Sequence, residues 1–247
     1  MKRSACCLQL DMGNSSTKWR LIQESEITRR GKYSVDDSAS FDAFLACSAE
    51  VEQIWISSVL STEAEGKQTK MMEEHWAVAP WFARSIDECD GFRNSYAEPA
   101  RLGVDRWLAM LAVWQRRRGR ACIIDAGTTM TCDVITDDGC HEGGYIIPGP
   151  ALMEHALLRE TDRVRFTENA SYSLAPGCST AAAVRHGVAL AQVGAAVLAI
   201  DRARIEPAQL FFSGGDGEAV MKLADRGGSY APDLVFEGLE IMAQHTD

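Results

Sequence analysis

The stretch LQLDMGNSSTKWRLI, Leu8 to Ile22, decides how this chain is read. An apolar run ends at Asp11, and Gly13 and Asn14 follow. Ser15, Ser16 and Thr17 bring three hydroxyls, and Lys18 opens a second apolar run. Two strands, 6–12 and 17–23, joined at Gly13–Ser16 account for the pattern. The plan returns in CIIDAGTTMTCDVIT, Cys122 to Thr136. Asp11-x-Gly13-Asn14-Ser15 and Asp125-x-Gly127-Thr128-Thr129 lie 114 residues apart, and each closes one strand and opens another. Repetition at long period implies two related half-chains.

Outward from these turns, strands alternate with helices. ASFDAFLACSAE (39–50) has helical spacing, QIWISSV (53–59) reads as a buried strand, a polar helix follows over 62–75, and AVAPWFA (77–83) is a short strand. A loop with Gly91 and Pro99 leads to DRWLAMLAVWQRRR (105–118), a helix by its apolar periodicity. In the second half ACIIDAG and TCDVIT are strands, and Asp137–Asp138–Gly139 turns into CHEGGYIIPG. Helices are expected near 150–160 and 179–201. AQLFFSGGDG is a strand entering a glycine turn, and APDLVFEGLEIMAQH reads as a strand then a helix. The alternation gives an α/β fold, with halves at 1–118 and 119–247.

Composition narrows the function. With 247 residues, 46% hydrophobic and 24% charged, the chain suits one large or two smaller globular domains. A net charge of −10 argues against a nucleic-acid surface, and it asks for local cations wherever an anion binds. No run of about 18 apolar residues occurs, so no membrane span is expected. MKRSACCLQL reaches Asp11 too early for a secretory apolar region, so a cytoplasmic location is expected. RRRGR (Arg116–Arg120) reads as a solvated helix C-terminus, with a phosphate or partner patch as the alternative. The eight cysteines lack a CxxC pair and suit buried thiols, and Cys140–His141 has no partners at metal spacing.

An Asp-x-Gly turn with hydroxyls suits nucleotide phosphates. Glycine admits a tight backbone path, and N–H and hydroxyl groups donate to phosphate oxygens. The carboxylate reaches phosphate through Mg²⁺ or its water shell. Either turn alone is equally a plain β-turn; their repetition favours the nucleotide. Gly214–Gly215 in FFSGGDGEAV can admit a flat adenosine against the backbone, or simply make a tight turn. Asp105–Arg106 in RLGVDRW is either a base beside a carboxylate-binding guanidinium or a helix N-cap with a surface arginine.

DMGNSSTKWR (11–20), GVDR (103–106), DAGTTMTCD (125–133), GGYIIPG (143–149), STAAAVRHG (179–187) and SGGDG (213–217) together resemble type III pantothenate kinases. These are members of the acetate and sugar kinase/Hsp70/actin superfamily. The resemblance implies two ribonuclease-H-like halves, each a mixed sheet flanked by helices, with the active site in the cleft between them. It implies ATP-dependent phosphorylation of pantothenate in coenzyme A synthesis, and a homodimer. It places Asp11, Met12, Gly13, Asn14, Ser15, Ser16, Thr17 and Lys18 on ATP, with Asp11 near Mg²⁺, and Thr128, Gly214 and Gly215 on the same nucleotide. It makes Asp105 the base. It puts Tyr96, Gly103, Val104, Asp105, Arg106 and Thr180 around pantothenate, and a monovalent cation, K⁺ or NH₄⁺, at Asp125. Other roles compete: a kinase-like accessory factor in gene regulation, or another ATPase or phosphatase of the superfamily. GVDR and the short length favour the kinase over the latter.

Overall fold

The computed structural model describes residues 6–48 and 50–245; the first residues of the N-terminal stretch, MKRSA, lie outside them. The chain divides into two compact units, Met1–Ala112 with Leu234–Asp247, and Val113–Asp233. In the first, strands β1 (Cys7–Met12), β2 (Thr17–Gln23) and β3 (Glu26–Tyr33) form a meander. Helix α1 (Ser38–Leu45), strand β4 (Gln53–Ser58), helix α2 (Thr62–Trp76) and strand β5 (Trp81–Phe82) follow. A small hairpin, β6 (Glu88–Cys89) and β7 (Phe92–Arg93), precedes helix α3 (Val104–Arg116). The sheet order is β3-β2-β1-β4-β5, with β1 antiparallel to β2 and parallel to β4.

The second unit repeats this order. β8 (Ala121–Ala126), β9 (Thr129–Ile135) and β10 (His141–Pro148) are its meander. After α4 (Pro150–Glu160) and α5 (Thr180–Ala203) come β11 (Leu210–Ser213), α6 (Gly217–Ala224) and β12 (Ser229–Tyr230). The order is β10-β9-β8-β11-β12. The duplicated turn is thus the visible part of a duplicated sheet.

Local chemistry explains the elements. Alternate residues of a strand face opposite sides, so Leu8, Leu10 and Met12 meet Trp19, Leu21, Ile54 and Ile56 in one core. Cys122, Ile124 and Ala126 do the same with Met130, Cys132, Leu210 and Phe212. Helix α2 is polar, yet Ser61 caps it by accepting from the Ala64 N–H, Glu63 and Glu65 sit in its first turn, and Lys67 pairs with Glu63 one turn back at 2.7 Å. Helix α5 is long and apolar enough to cross a membrane by length and composition alone. Within its unit it is a core helix, because Ala196, Ala199, Ile200 and Ala203 pack into the second core.

Several expectations change. APDLVF is no strand. The residues before it pair briefly as β12, and α7 (Leu234–Gln244) begins at Leu234. The second half, expected at 119–247, gives up this helix to the first unit. Leu234, Leu239 and Met242 are buried, α7 packs on β1 and β4, and Trp107 Nε1 donates to Met242 Sδ at 3.1 Å. An apolar periodicity says that a helix must be covered, not by which sheet. AVAPWFA contributes only Trp81–Phe82, and β3, all but Tyr33 exposed, carried no apolar alternation to find.

Candidate active site

Asp11 stands at the end of β1, paired in register with Lys18 on β2 and Ser57 on β4. The Ser57 hydroxyl donates to Asp11 Oδ1 at 3.3 Å. The turn closes through the Gly13 N–H on the Ser16 carbonyl at 3.2 Å. Met12 and Thr17 are buried and anchor the two strand ends, while Asn14 and Ser15 are exposed at the tip. Gly13, Ser16 and Lys18 are half-buried. The predicted ATP-binding residues 11–18 are therefore one continuous hairpin tip that presents a carboxylate, an ammonium, hydroxyls and backbone N–H groups.

The second turn is built alike. Asp125 ends β8 in register with Thr131 on β9 and Ser213 on β11. Gly127 N–H donates to the Thr129 carbonyl at 3.0 Å. Thr128 is exposed, and its carbonyl accepts from the Gly149 N–H at 3.0 Å. A Cβ on Gly149 would lie 2.1 Å from the Gly127 carbonyl oxygen, so this approach requires glycine. Gly214 has φ of +82°, and a Cβ there would fall 2.2 Å from the Ala126 carbonyl and 2.6 Å from Asp125 Oδ1. The Asp216 N–H donates to the Ala126 carbonyl at 2.9 Å, and Tyr230 Oη to the Gly214 carbonyl at 3.0 Å. Asp125, Thr128 and Gly214 thus share one crowded turn, while a Cβ on Gly215 would meet nothing.

Asp105 is the second residue of α3. The Gly103 carbonyl accepts the first helical bond, from Trp107, so glycine rather than Asp105 occupies the N-cap. Asp105 Oδ1 accepts from the Arg106 N–H at 2.8 Å. The Arg106 side chain is buried, Nη1 donates to Tyr96 Oη at 3.1 Å, and its guanidinium carbon lies 6.0 Å from the Tyr96 ring centre. Tyr96, 10 residues away, belongs to one cluster with Gly103–Arg106. The surface-arginine alternative for Arg106 is excluded by that burial.

Thr180 is the first residue of α5, after the N-cap Ser179, whose hydroxyl accepts from the Ala182 N–H at 3.1 Å. It is exposed and lines a groove of about 1190 Å³ with Pro148, Leu152, Met153, Val184 and Val188. The groove is apolar apart from its Ser179–Thr180 end, and it is a different feature from the Asp125–Gly214 turn.

Sequence reasoning missed Ser57 and Ser213. Both are buried and both stand beside the turn aspartate in register, Ser57 next to last in β4 and Ser213 last in β11. Serine following the apolar residues of QIWISS and LFFS in both halves was the available signal. Six cysteines are buried, and burial pushes the Cys7 thiol up to about 12, so it stays protonated. His141 Nε2 lies 3.0 Å from Asp133 Oδ1 in the interior.

Paired sheets of identical order, each ending its first strand on Asp-x-Gly, define the fold of sugar kinases and actin-like ATPases. A 2-dehydro-3-deoxygalactonokinase-type structure from Sinorhizobium meliloti superposes with a TM-score of 0.63 at 14% identity, covering 96% of both chains. A Campylobacter jejuni structure described as a Baf family transcriptional activator gives 0.63 at 23% identity, over 97% of this chain and 98% of that one. These likenesses concern the fold. The sequence comparisons go further. The type III pantothenate kinase family model matches residues 7–202. The type III pantothenate kinase of Pseudomonas putida is 37% identical over 241 residues, 94% of this chain and 96% of its own. That of Pseudomonas aeruginosa is 35% identical over 243 residues, 95% and 97%. The chain belongs to the type III pantothenate kinase family.

Proposed function

We infer that this protein transfers the γ-phosphoryl group of ATP to the hydroxyl of pantothenate, giving 4′-phosphopantothenate and ADP. The observation that carries this is the family match over nearly the whole chain. The residue roles rest on the geometry above. In the transfer, the bond from the γ-phosphorus to its bridging oxygen breaks and a bond to the pantothenate oxygen forms. Asp105 takes the hydroxyl proton, and Arg106, held by Tyr96, receives the substrate carboxylate. Gly103 and Val104 set the backbone beneath them. Backbone and hydroxyl donors of residues 13–17 and the Lys18 ammonium bind and orient the phosphates, since phosphoryl transfer is mostly positioning and charge neutralisation. Thr128, Gly214 and Gly215 take the rest of the nucleotide.

Asp11 suits Mg²⁺, a metal commonly held by one or two carboxylates plus substrate phosphates. It is half-buried at a strand end, with a hydroxyl already fixing one oxygen. Bound there, Mg²⁺ would neutralise phosphate charge. The family resemblance places K⁺ or NH₄⁺ at Asp125, where a cation would offset nearby carboxylate and phosphate charge. We propose further that the protein is a cytoplasmic homodimer. The exposed Leu190 and Leu198 on α5 support a self-association face.

Incubating the purified chain with Mg²⁺–ATP, K⁺ and pantothenate should yield one ADP per 4′-phosphopantothenate, followed by mass spectrometry. ATP binding without product would favour an accessory role instead. Rates should be higher in K⁺ or NH₄⁺ than in Na⁺, and lowest in a bulky organic cation. Equal rates in K⁺ and the organic cation would remove the Asp125 cation site.

A further inference from the structure

One polar cluster in the first unit, buried at Arg20 and Gln9 and half-exposed at Glu240, has no part in the roles assigned above. Arg20, 4% exposed, donates from Nε to Gln9 Oε1 at 2.7 Å and from Nη2 to Glu240 Oε1 at 2.8 Å. Gln9, fully buried, donates from Nε2 to the same Glu240 oxygen at 3.1 Å. The three side chains close a ring, and the Arg20 guanidinium lies 4.7 Å over Phe236. A buried arginine and amide inside a sheet face are costly unless fully partnered.

The position of the ring is informative. Gln9 and Arg20 face each other across β1 and β2, and the next pair on the same face is Asp11 and Lys18. Residues two apart on a strand are about 7 Å apart on one face. The ring is therefore the rung directly beneath the phosphate-binding pair. Its third member comes from the other end of the chain, on α7. The same helix seats on α3. A Cβ on Gly238 would lie 2.1 Å from the Leu108 carbonyl oxygen, one turn past Asp105, and Met242 receives the Trp107 indole N–H.

We propose that Glu240 is a positioning residue for phosphoryl transfer: through Arg20 and Gln9 it fixes the rung on which Asp11 and Lys18 stand, and its helix holds the Asp105-bearing α3 in the same frame. This rests on the roles proposed for Asp11, Lys18 and Asp105. Phosphoryl transfer tolerates little misplacement, and an error of about 1 Å can cost about 10²-fold. A side chain that only stabilises would change the melting temperature and leave kcat of the folded enzyme alone.

The test measures kcat, KM for ATP and thermal melting for Glu240→Gln, Glu240→Ala and the surface control Gln244→Ala on the same helix, with Asp11→Asn alongside. Glutamine keeps shape and an acceptor oxygen but loses charge; alanine removes the Glu240 acceptor from both Arg20 and Gln9. We expect kcat well below the melting point to fall about threefold in Glu240→Gln and about tenfold or more in Glu240→Ala, with the control unchanged. Should Glu240→Ala not fold, Glu240→Gln alone decides. Unchanged kcat and ATP KM in folded Glu240 variants, with Asp11→Asn crippled, would overturn the positioning role and leave the site intact. An active Asp11→Asn enzyme would overturn the site reading, and this inference with it.

Discussion

Asp11→Asn is expected to lower kcat by about 10²–10³-fold with the fold intact, the scale seen when one preorganised electrostatic partner is removed from a reacting centre. The substitution is nearly isosteric. Asparagine Oδ1 can still accept from the Ser57 hydroxyl, as Asp11 Oδ1 does at 3.3 Å. The turn keeps its own bond between Gly13 and Ser16. Only the negative charge is lost, and with it the means of holding Mg²⁺ against the phosphates. The melting temperature should therefore move little. The check is kcat at saturating Mg²⁺–ATP beside a thermal melt. A folded variant turning over at the normal rate would show that Asp11 is merely a turn residue.

The second turn does not predict the same result for Asp125, although the two are related by the internal repeat. Asp125 is hemmed in by the glycine turn, with its Oδ1 2.6 Å from where a Gly214 Cβ would stand. Asp11 has Lys18 facing it across the hairpin, where Asp125 has Thr131. The duplicated frame thus carries different chemistry at equivalent places, and the difference is written in what faces each carboxylate.

That contrast also shows what a sequence exposes. Hairpin tips are local. Their spacing, glycines and hydroxyls survive in the one-dimensional string, so strands 6–12 and 17–23 appear where expected, within a residue. GVDR was visible for the same reason, since a helix start and its first-turn residues are neighbours. What was hidden depends on register or on distant segments. Ser57 stands beside Asp11 only because β4 aligns in parallel with β1. Tyr96 was suggested by resemblance, and its bond to Arg106 needed the fold. Glu240 lies 231 residues from Gln9, and nothing in APDLVFEGLEIMAQH marks one glutamate as the partner of a buried arginine. Even the unit to which that helix belongs is settled by packing, through Gly238 against Leu108.

Asp105 and Arg106 are adjacent in sequence and should fail differently. Asp105→Asn retains the oxygen that accepts the Arg106 N–H, a bond of 2.8 Å, so the first turn of α3 should hold. Asparagine cannot take the hydroxyl proton of pantothenate. Loss of general-base assistance typically costs about 10²–10⁴-fold, and we expect that loss in kcat with a small change in the KM for pantothenate. Arg106→Ala removes a buried guanidinium and its contact to Tyr96 Oη. Hydrogen bonds to charged groups are worth about 1.5–3 kcal/mol, so pantothenate KM should rise by about 10- to 10²-fold. Some fall in kcat should accompany it, because a loosely held substrate presents its hydroxyl less often in reach. ATP KM should be little changed in both. The competing explanation gives Asp105 only a structural task, an acidic residue suiting the positive end of α3, worth about 0.3–1 kcal/mol. On that account Asp105→Asn loses a little stability and no catalytic power. A folded Asp105→Asn enzyme with near-normal kcat, measured with both substrates saturating, would therefore assign the carboxylate to the helix and leave the proton to another acceptor.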